Sequence, residues 1–169
     1  MQILKRVQNL PITLDDAWEF FSSPENLKII TPPYMGFNIT SYYGGAKMYQ
    51  GMIITYKVSP VFGVPLNWVS EITHVSEPHY FVDNQKAGPF KYWHHQHIFR
   101  EIEGGVEMTD IVYYAVPIPW LGMLMENIFI KKRVNKIFDY RFKKLCKIFG
   151  KGEVLMQKKT RNKSGLIKL

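Results

Sequence analysis

The sequence predicts an α+β domain in which a curved antiparallel sheet wraps around a long C-terminal helix. Three observations carry that expectation. Between residues 37 and 116 the chain alternates strand-like runs with short turns rich in Gly and Pro. Beyond Pro117 and Pro119 the apolar period changes from two to three-and-four. Only one long helix is then available to cover a wide sheet, so the sheet must curve around it, leaving space between them for a cavity.

The elements follow in order. Met1 to Gln8 reads as a strand, with Ile3 and Val7 on one side. Thr13 is a candidate N-cap, with Asp15, Asp16 and Glu19 in the opening turns, where the helix dipole favours anions. Ala17, Trp18, Phe20 and Phe21 supply that helix's apolar side, and Ser22-Ser23-Pro24 breaks it. Pro24 suits the first position of a second short helix, Glu25 to Ile30, which Thr31-Pro32-Pro33 stops. Strands are expected over 37–43, 50–58, 66–75, 80–86, 91–102 and 106–116. Met52, Ile54, Tyr56 and Val58 share one face, and Gly104-Gly105 forms a hairpin. Short connections favour antiparallel neighbours throughout. From Trp120 to Phe149, Leu121, Leu124, Ile128, Val134, Phe138, Phe142, Leu145 and Phe149 trace one helical stripe. Lys131, Lys132, Arg133, Lys136, Lys143, Lys144 and Lys147 fall on the other side.

Composition narrows the function classes. With 169 residues, 46% hydrophobic and 21% charged, the chain is neither disordered nor collagenous nor a coiled coil, and one core suffices. The expected division is a domain over 1–149 and a basic tail over 150–169. The single cysteine, Cys146, excludes an intrachain disulfide and any cysteine-cluster metal site. The uncharged run 111–125 is too short to span a bilayer, and no secretory signal is visible, so a cytoplasmic protein is expected. No phosphate-cradling glycine loop is present, which argues against nucleotide hydrolysis. The net charge of +8 is uneven: residues 1–130 carry 8 Lys/Arg against 12 Asp/Glu, and residues 131–169 carry 14 against 2. The basic segment, preceded by Trp120, Leu121, Met123, Leu124 and Met125, suits an anionic membrane surface. Nucleic acid is not expected as a partner, because the sheet aromatics sit among acidic residues and face inward.

The segment richest in chemistry is Trp93-His94-His95-Gln96-His97-Ile98-Phe99. Alternate residues of a strand share a face, so Trp93, His95, His97 and Phe99 point one way, and Trp and Phe favour burial. By the same alternation Phe81, Asp83 and Gln85 share a face, as do Asp110, Val112 and Tyr114. Asp83, Gln85, His95, His97 and Asp110 are therefore expected to converge inside an aromatic shell of Trp68, Phe81, Trp93 and Tyr114. Such a group can orient a ligand, move protons, hold a metal through the two imidazoles and an aspartate, or simply satisfy itself as a buried network. Ligand orientation is the working expectation. A His-x-His pair alone is a weak metal signal, so neither a metal nor a cofactor is expected. Arg141 lies one residue off the apolar stripe. It can reach the cavity to meet a carboxylate of the ligand, of Asp83 or of Asp110. The simpler expectation is a partly exposed arginine whose stem covers apolar surface.

Several segments together resemble a known family. They are Pro24-Glu25-Asn26-Leu27, Thr31 through Phe37, Gly88 through His97, Thr109-Asp110 with Tyr114 and Pro117, and Ile137 through Arg141. They resemble the SRPBCC superfamily, the helix-grip group of START lipid-binding domains, birch-pollen-allergen-like proteins and polyketide cyclases. Within it the resemblance is to small bacterial stand-alone proteins, some labelled cell-division inhibitors through fusion to epimerase-like domains. It covers roughly residues 1–149. It implies a helix-grip fold and the binding of a small hydrophobic or amphipathic ligand. The alternatives it leaves are a cyclase or dehydratase using the pocket His and Asp as acid and base, and a membrane-surface or regulatory protein acting through its basic end. No catalytic set comes with the resemblance.

Overall fold

The structure is a computed structural model that describes residues 1–59, 63–116 and 123–151, with side chains left out over 123–128. Strand β1 (Gln2–Leu10) leads into helices α1 (Leu14–Phe21) and α2 (Pro24–Ile29) and a 3-10 turn at Pro33–Met35. Six strands follow: β2 (Asn38–Tyr42), β3 (Ile53–Val58), β4 (Leu66–Ser76), β5 (Tyr80–Ala87), β6 (Tyr92–Ile102) and β7 (Gly105–Ala115). Helix α3 (Met123–Phe149) closes the described chain. All seven strands form one antiparallel sheet in the order β1-β7-β6-β5-β4-β3-β2. The fold class expected from the sequence is thus the fold class observed.

Local chemistry explains the elements. Thr13 caps α1: its Oγ1 accepts from the Asp16 amide at 3.1 Å. Pro24 occupies the first turn of α2, where no amide donor is needed. Glu103-Gly104 form the two-residue turn between the paired residues Ile102 and Gly105. Gly105 has φ +154°, and a Cβ there would lie 2.1 Å from the Leu10 carbonyl oxygen, so the hairpin base needs glycine to sit against β1.

The core has three parts. Trp18, Phe21, Phe81, Phe99 and Leu145 pack under α1, and Met35, Phe37, Met52, Ile54, Tyr56, Val58, Trp68 and Ile72 line the β2–β4 end. Leu4, Val112, Tyr114, Val134 and Phe138 join β1, β7 and α3.

One sequence expectation is sharpened and one corrected. Ile3 and Val7 share one side of β1 as expected, but that side is exposed and the inward residues are Leu4, Gln8 and Leu10. The polar Gln8 belongs inside because α3 supplies partners: its side-chain amide donates to the Phe142 carbonyl at 3.2 Å. On α3 the buried stripe is Val134, Phe138, Arg141 and Leu145, a four-three-four spacing with Arg141 at its centre, and Phe142 is only half-buried. The stripe members Leu121, Leu124 and Ile128, Pro117 and Pro119, the apolar group around Trp120, and the tail from 152 onwards lie outside the described residues or side chains. Among the described residues no helix is long and apolar enough to cross a membrane.

Candidate functional site

The site is assembled by strand pairing. Asp83 on β5 is the cross-strand partner of His95 on β6, and His97 is the partner of Asp110 on β7. Period-two alternation turns all four side chains to the face that holds α3. Each imidazole then lies between both carboxylates. His95 Nε2 is 2.9 Å from Asp110 Oδ1, and His95 Nδ1 is 3.3 Å from Asp83 Oδ2. His97 Nε2 is 3.0 Å from Asp83 Oδ2, and His97 Nδ1 is 3.2 Å from Asp110 Oδ1. That last nitrogen is buried and makes no hydrogen bond. The two rings lie with centroids 3.8 Å apart, tilted 38° to one another, and Phe81 stacks on the other side of His97 at 4.0 Å.

Arg141 reaches this group from α3. Its Nη1 donates to Asp110 Oδ1 at 3.4 Å, and its guanidinium lies 4.9 Å from the centre of the Phe138 ring. It is 7% exposed, so the partly exposed arginine expected from the sequence is corrected: the four-three-four spacing of the buried stripe places position 141 inward.

Electrostatics follow from this geometry. Burial alone would raise both carboxyl groups. Hydrogen bonds and charge from His95 and His97 outweigh it at Asp83 and hold that carboxyl well below the usual range. The Arg141 guanidinium, then His95 and His97, does the same at Asp110. Burial would lower His95, but hydrogen bonds to Asp110 and Asp83 overcome it and raise the imidazole above its ordinary value. The group is therefore a charged cluster held at low exposure.

One side of the cluster opens onto a cavity of about 140 Å³ between the sheet and α3. The walls are Leu27, Met35, Phe37, Ile54, Tyr56, Val58, Trp68, Ile72, Phe90, Trp93 and Phe138, and Asp83, His95, His97 and Arg141 supply its charged edge. The aromatic wall keeps its polar tips occupied: Trp68 Nε1 donates to Ser70 Oγ at 3.1 Å, and Tyr56 Oη lies 3.0 Å from the same oxygen. What faces the cavity is thus mostly apolar carbon.

Seven of the ten residues expected at the site line this cavity: Trp68, Phe81, Asp83, Trp93, His95, His97 and Arg141. Asp110 stands behind the imidazoles, away from the cavity. Tyr114 is buried behind Phe90 and Trp93, with ring centroids 5.9 and 6.2 Å away. Gln85 does not join the cluster. Its Nε2 donates to the Phe90 carbonyl at 2.6 Å and its Oε1 accepts from the Phe90 amide at 3.2 Å, so it clamps the β5–β6 turn and sets Phe90 in place. Strand alternation weakens where a strand ends, and Gln85 is near that end.

Some cavity residues were not anticipated. Tyr56 was placed on one face with Ile54 and Val58 but not at the site, and Ser70 could have been found, since period two on β4 turns it inward with Trp68. Phe90 lies in a turn and gave no periodic signal. Arg133, expected on the solvated side of α3, is half-buried and lines the cavity, between the exposed rings of Tyr34 and Phe129 at 5.4 and 5.9 Å. Asp83, His95 and His97 also form a group that could hold a metal ion, with one ligand atom from each within 4.8 Å of the others.

No family model matches the chain, and no curated protein matches it by sequence. Its likeness is to solved structures. Protein Ms6760 from Mycobacterium smegmatis is 20% identical with a TM-score of 0.61, over 86% of this chain and 89% of that one. Ara h 8.0201 is 12% identical with a TM-score of 0.56, over 86% and 98%. The major latex-like protein 151 of Panax ginseng is 14% identical with a TM-score of 0.52, over 82% and 95%. At these identities the likeness shows the fold, and the fold is the helix-grip arrangement of birch-pollen-allergen-like proteins.

Proposed function

We propose that the chain binds a small, largely apolar molecule with a polar end, held between the sheet and α3. The observation that carries this reading is the cavity itself: aromatic and aliphatic walls with a charged cluster at one edge. An apolar cavity of about 150 Å³ accepts a benzene-sized group. One ring or a short stretch of chain therefore fits inside, with the polar end at His97 and Arg141 or towards Arg133. Apolar burial would drive binding and the charged cluster would set orientation. The segments quoted for the family resemblance support placing the chain among the small bacterial proteins of that superfamily, and a cytoplasmic location is part of the same reading.

A second reading has one observation in its favour. His97 and Asp83 border the cavity together, with His97 Nε2 3.0 Å from Asp83 Oδ2, the kind of pair that can pass a proton to or from a bound substrate. A cyclase- or dehydratase-type enzyme would use the same pocket. Replacing His97→Ala would then abolish turnover while retaining ligand.

Native mass spectrometry of gently purified protein, followed by denaturing extraction, tests the binding reading. A discrete extra mass that is released as a small amphipathic molecule is expected. A clean mass of the chain alone, together with no shift in melting temperature across lipid and aromatic libraries, would overturn it.

A further inference from the structure

We propose that Asp83, His95 and His97 bind one divalent first-row transition-metal ion, with an open coordination position facing the cavity. The inference does not depend on the cavity taking an organic ligand, because it rests on the cluster's own geometry.

The first support is spacing. Zn–N and Zn–O bonds of about 2.0–2.2 Å set neighbouring ligand atoms about 2.9 Å apart in octahedral and about 3.4 Å apart in tetrahedral coordination. Asp83 Oδ2 is 3.0 Å from His97 Nε2 and 3.3 Å from His95 Nδ1. The donors come from two adjacent strands of a sheet, a rigid support for a ligand set.

The second support is the partner of each ring's far nitrogen. His95 Nε2 at 2.9 Å and His97 Nδ1 at 3.2 Å face the same Asp110 oxygen, while His95 Nδ1 and His97 Nε2 face Asp83, so each ring can ligate on the Asp83 side and keep its proton on the Asp110 side. His95 then ligates through Nδ1 and donates Nε2–H to Asp110, while His97 ligates through Nε2 and turns Nδ1–H towards the same carboxylate. Asp110 becomes the outer carboxylate that fixes both tautomers, an arrangement that recurs behind metal-bound histidines. Arg141, 3.4 Å from Asp110, anchors that carboxylate in turn.

The third support is access. The square of side chains has two ends where an ion could sit. The Asp110 end is closed by the Arg141 guanidinium, whose charge repels a cation. The Asp83 end lines the cavity, so an ion there keeps a free position for water or for an oxygen donor of a bound molecule. Three protein ligands with an open fourth position are the pattern of reactive rather than purely structural sites.

The test uses the full chain without an affinity tag, stripped with chelator and dialysed. Cobalt chloride is titrated with visible absorption as the readout, and zinc chloride is then added as competitor. One Co²⁺ per chain with ligand-field bands, displaced by Zn²⁺, is expected. In ring-nitrogen NMR of the wild-type chain, Zn²⁺ should move His95 and His97 and leave His74, His79 and His94 in place. His97→Ala and Asp83→Asn should each weaken binding at least tenfold, and Asp110→Asn about 10–100-fold. The wild-type spectra decide the matter even if a variant misfolds. Absence of ligand-field bands, zinc shifts confined to the other histidines, or unchanged affinity in folded His97→Ala would each overturn the proposal.

Discussion

At the residue scale, the contact between Arg141 and Asp110 governs the most costly part of the interior. Both side chains are more than nine-tenths buried, and Asp110 also faces both imidazoles. Desolvating such a pair offsets much of its mutual attraction, so the pair adds little net stability over a well-packed apolar pair. Breaking it is different, because the buried Asp110 carboxylate then loses its guanidinium and keeps only the imidazoles as partners. Arg141→Ala is therefore expected to cost about 3–5 kcal/mol in urea denaturation. Arg141→Met combined with Asp110→Asn should cost less than Arg141→Met alone. Equal losses in the double and single variants would show that the charge on Asp110 is compensated by the imidazoles without help from α3.

At the element scale, the sheet is joined across its ends by tight turns, and the β6–β7 hairpin is the tightest. Gly104 and Gly105 sit side by side but answer to different constraints. Gly104 has φ +78° and open space around its Cα, so a side chain there meets only backbone strain. At Gly105 the added Cβ would strike the Leu10 carbonyl, which is backbone and has β7 as its strand partner. Gly104→Ala is expected to cost about 1–2 kcal/mol. Gly105→Ala should cost more, by about 2 kcal/mol or above, as β1 and β7 separate. Thermal denaturation of both variants, with hydrogen exchange at the β1–β7 ladder, checks the order. Similar losses in the two would place the cost in the turn rather than in the contact with β1.

At the scale of the whole molecule, the cavity exists because one long helix, with α1 packed at one end, covers a seven-stranded sheet. Three core clusters fill the ends of that layer and one side of it, and the space between them holds no packed side chain. A fully packed interior resists enlargement: an inserted ring there usually costs about 1–3 kcal/mol. Ile54 is buried and borders the cavity, so Ile54→Phe is expected to cost less than about 1 kcal/mol and to abolish retention of any co-purified molecule. Melting temperature and native mass measured together read both effects. A loss in the ordinary overpacking range, with retention unchanged, would mean that ligand is held elsewhere.

The sequence by itself determined the order of elements, the change from strand to helix between β7 and α3, and the face of β6 that carries Trp93, His95, His97 and Phe99. Those features are local: they depend on period, capping and turn chemistry, which a chain carries wherever it folds. It also brought Asp83 and Asp110 onto the same face, because period two holds in the middle of a paired strand. Tertiary structure decided the rest. Whether Arg141 points in or out depends on how α3 rotates over the sheet, and a stripe read from apolar residues alone cannot include an arginine whose partner lies on β7. Gln85 left the cluster because a turn offered its amide two backbone partners. Phe90 entered the cavity from a turn that no periodicity marks, and Arg133 from a position in helical spacing with Ile130 and Ile137, where its charge had assigned it to the solvated side. The inward face of β1 was likewise settled by α3, which gave Gln8 a carbonyl to donate to and left Ile3 and Val7 on the outer surface.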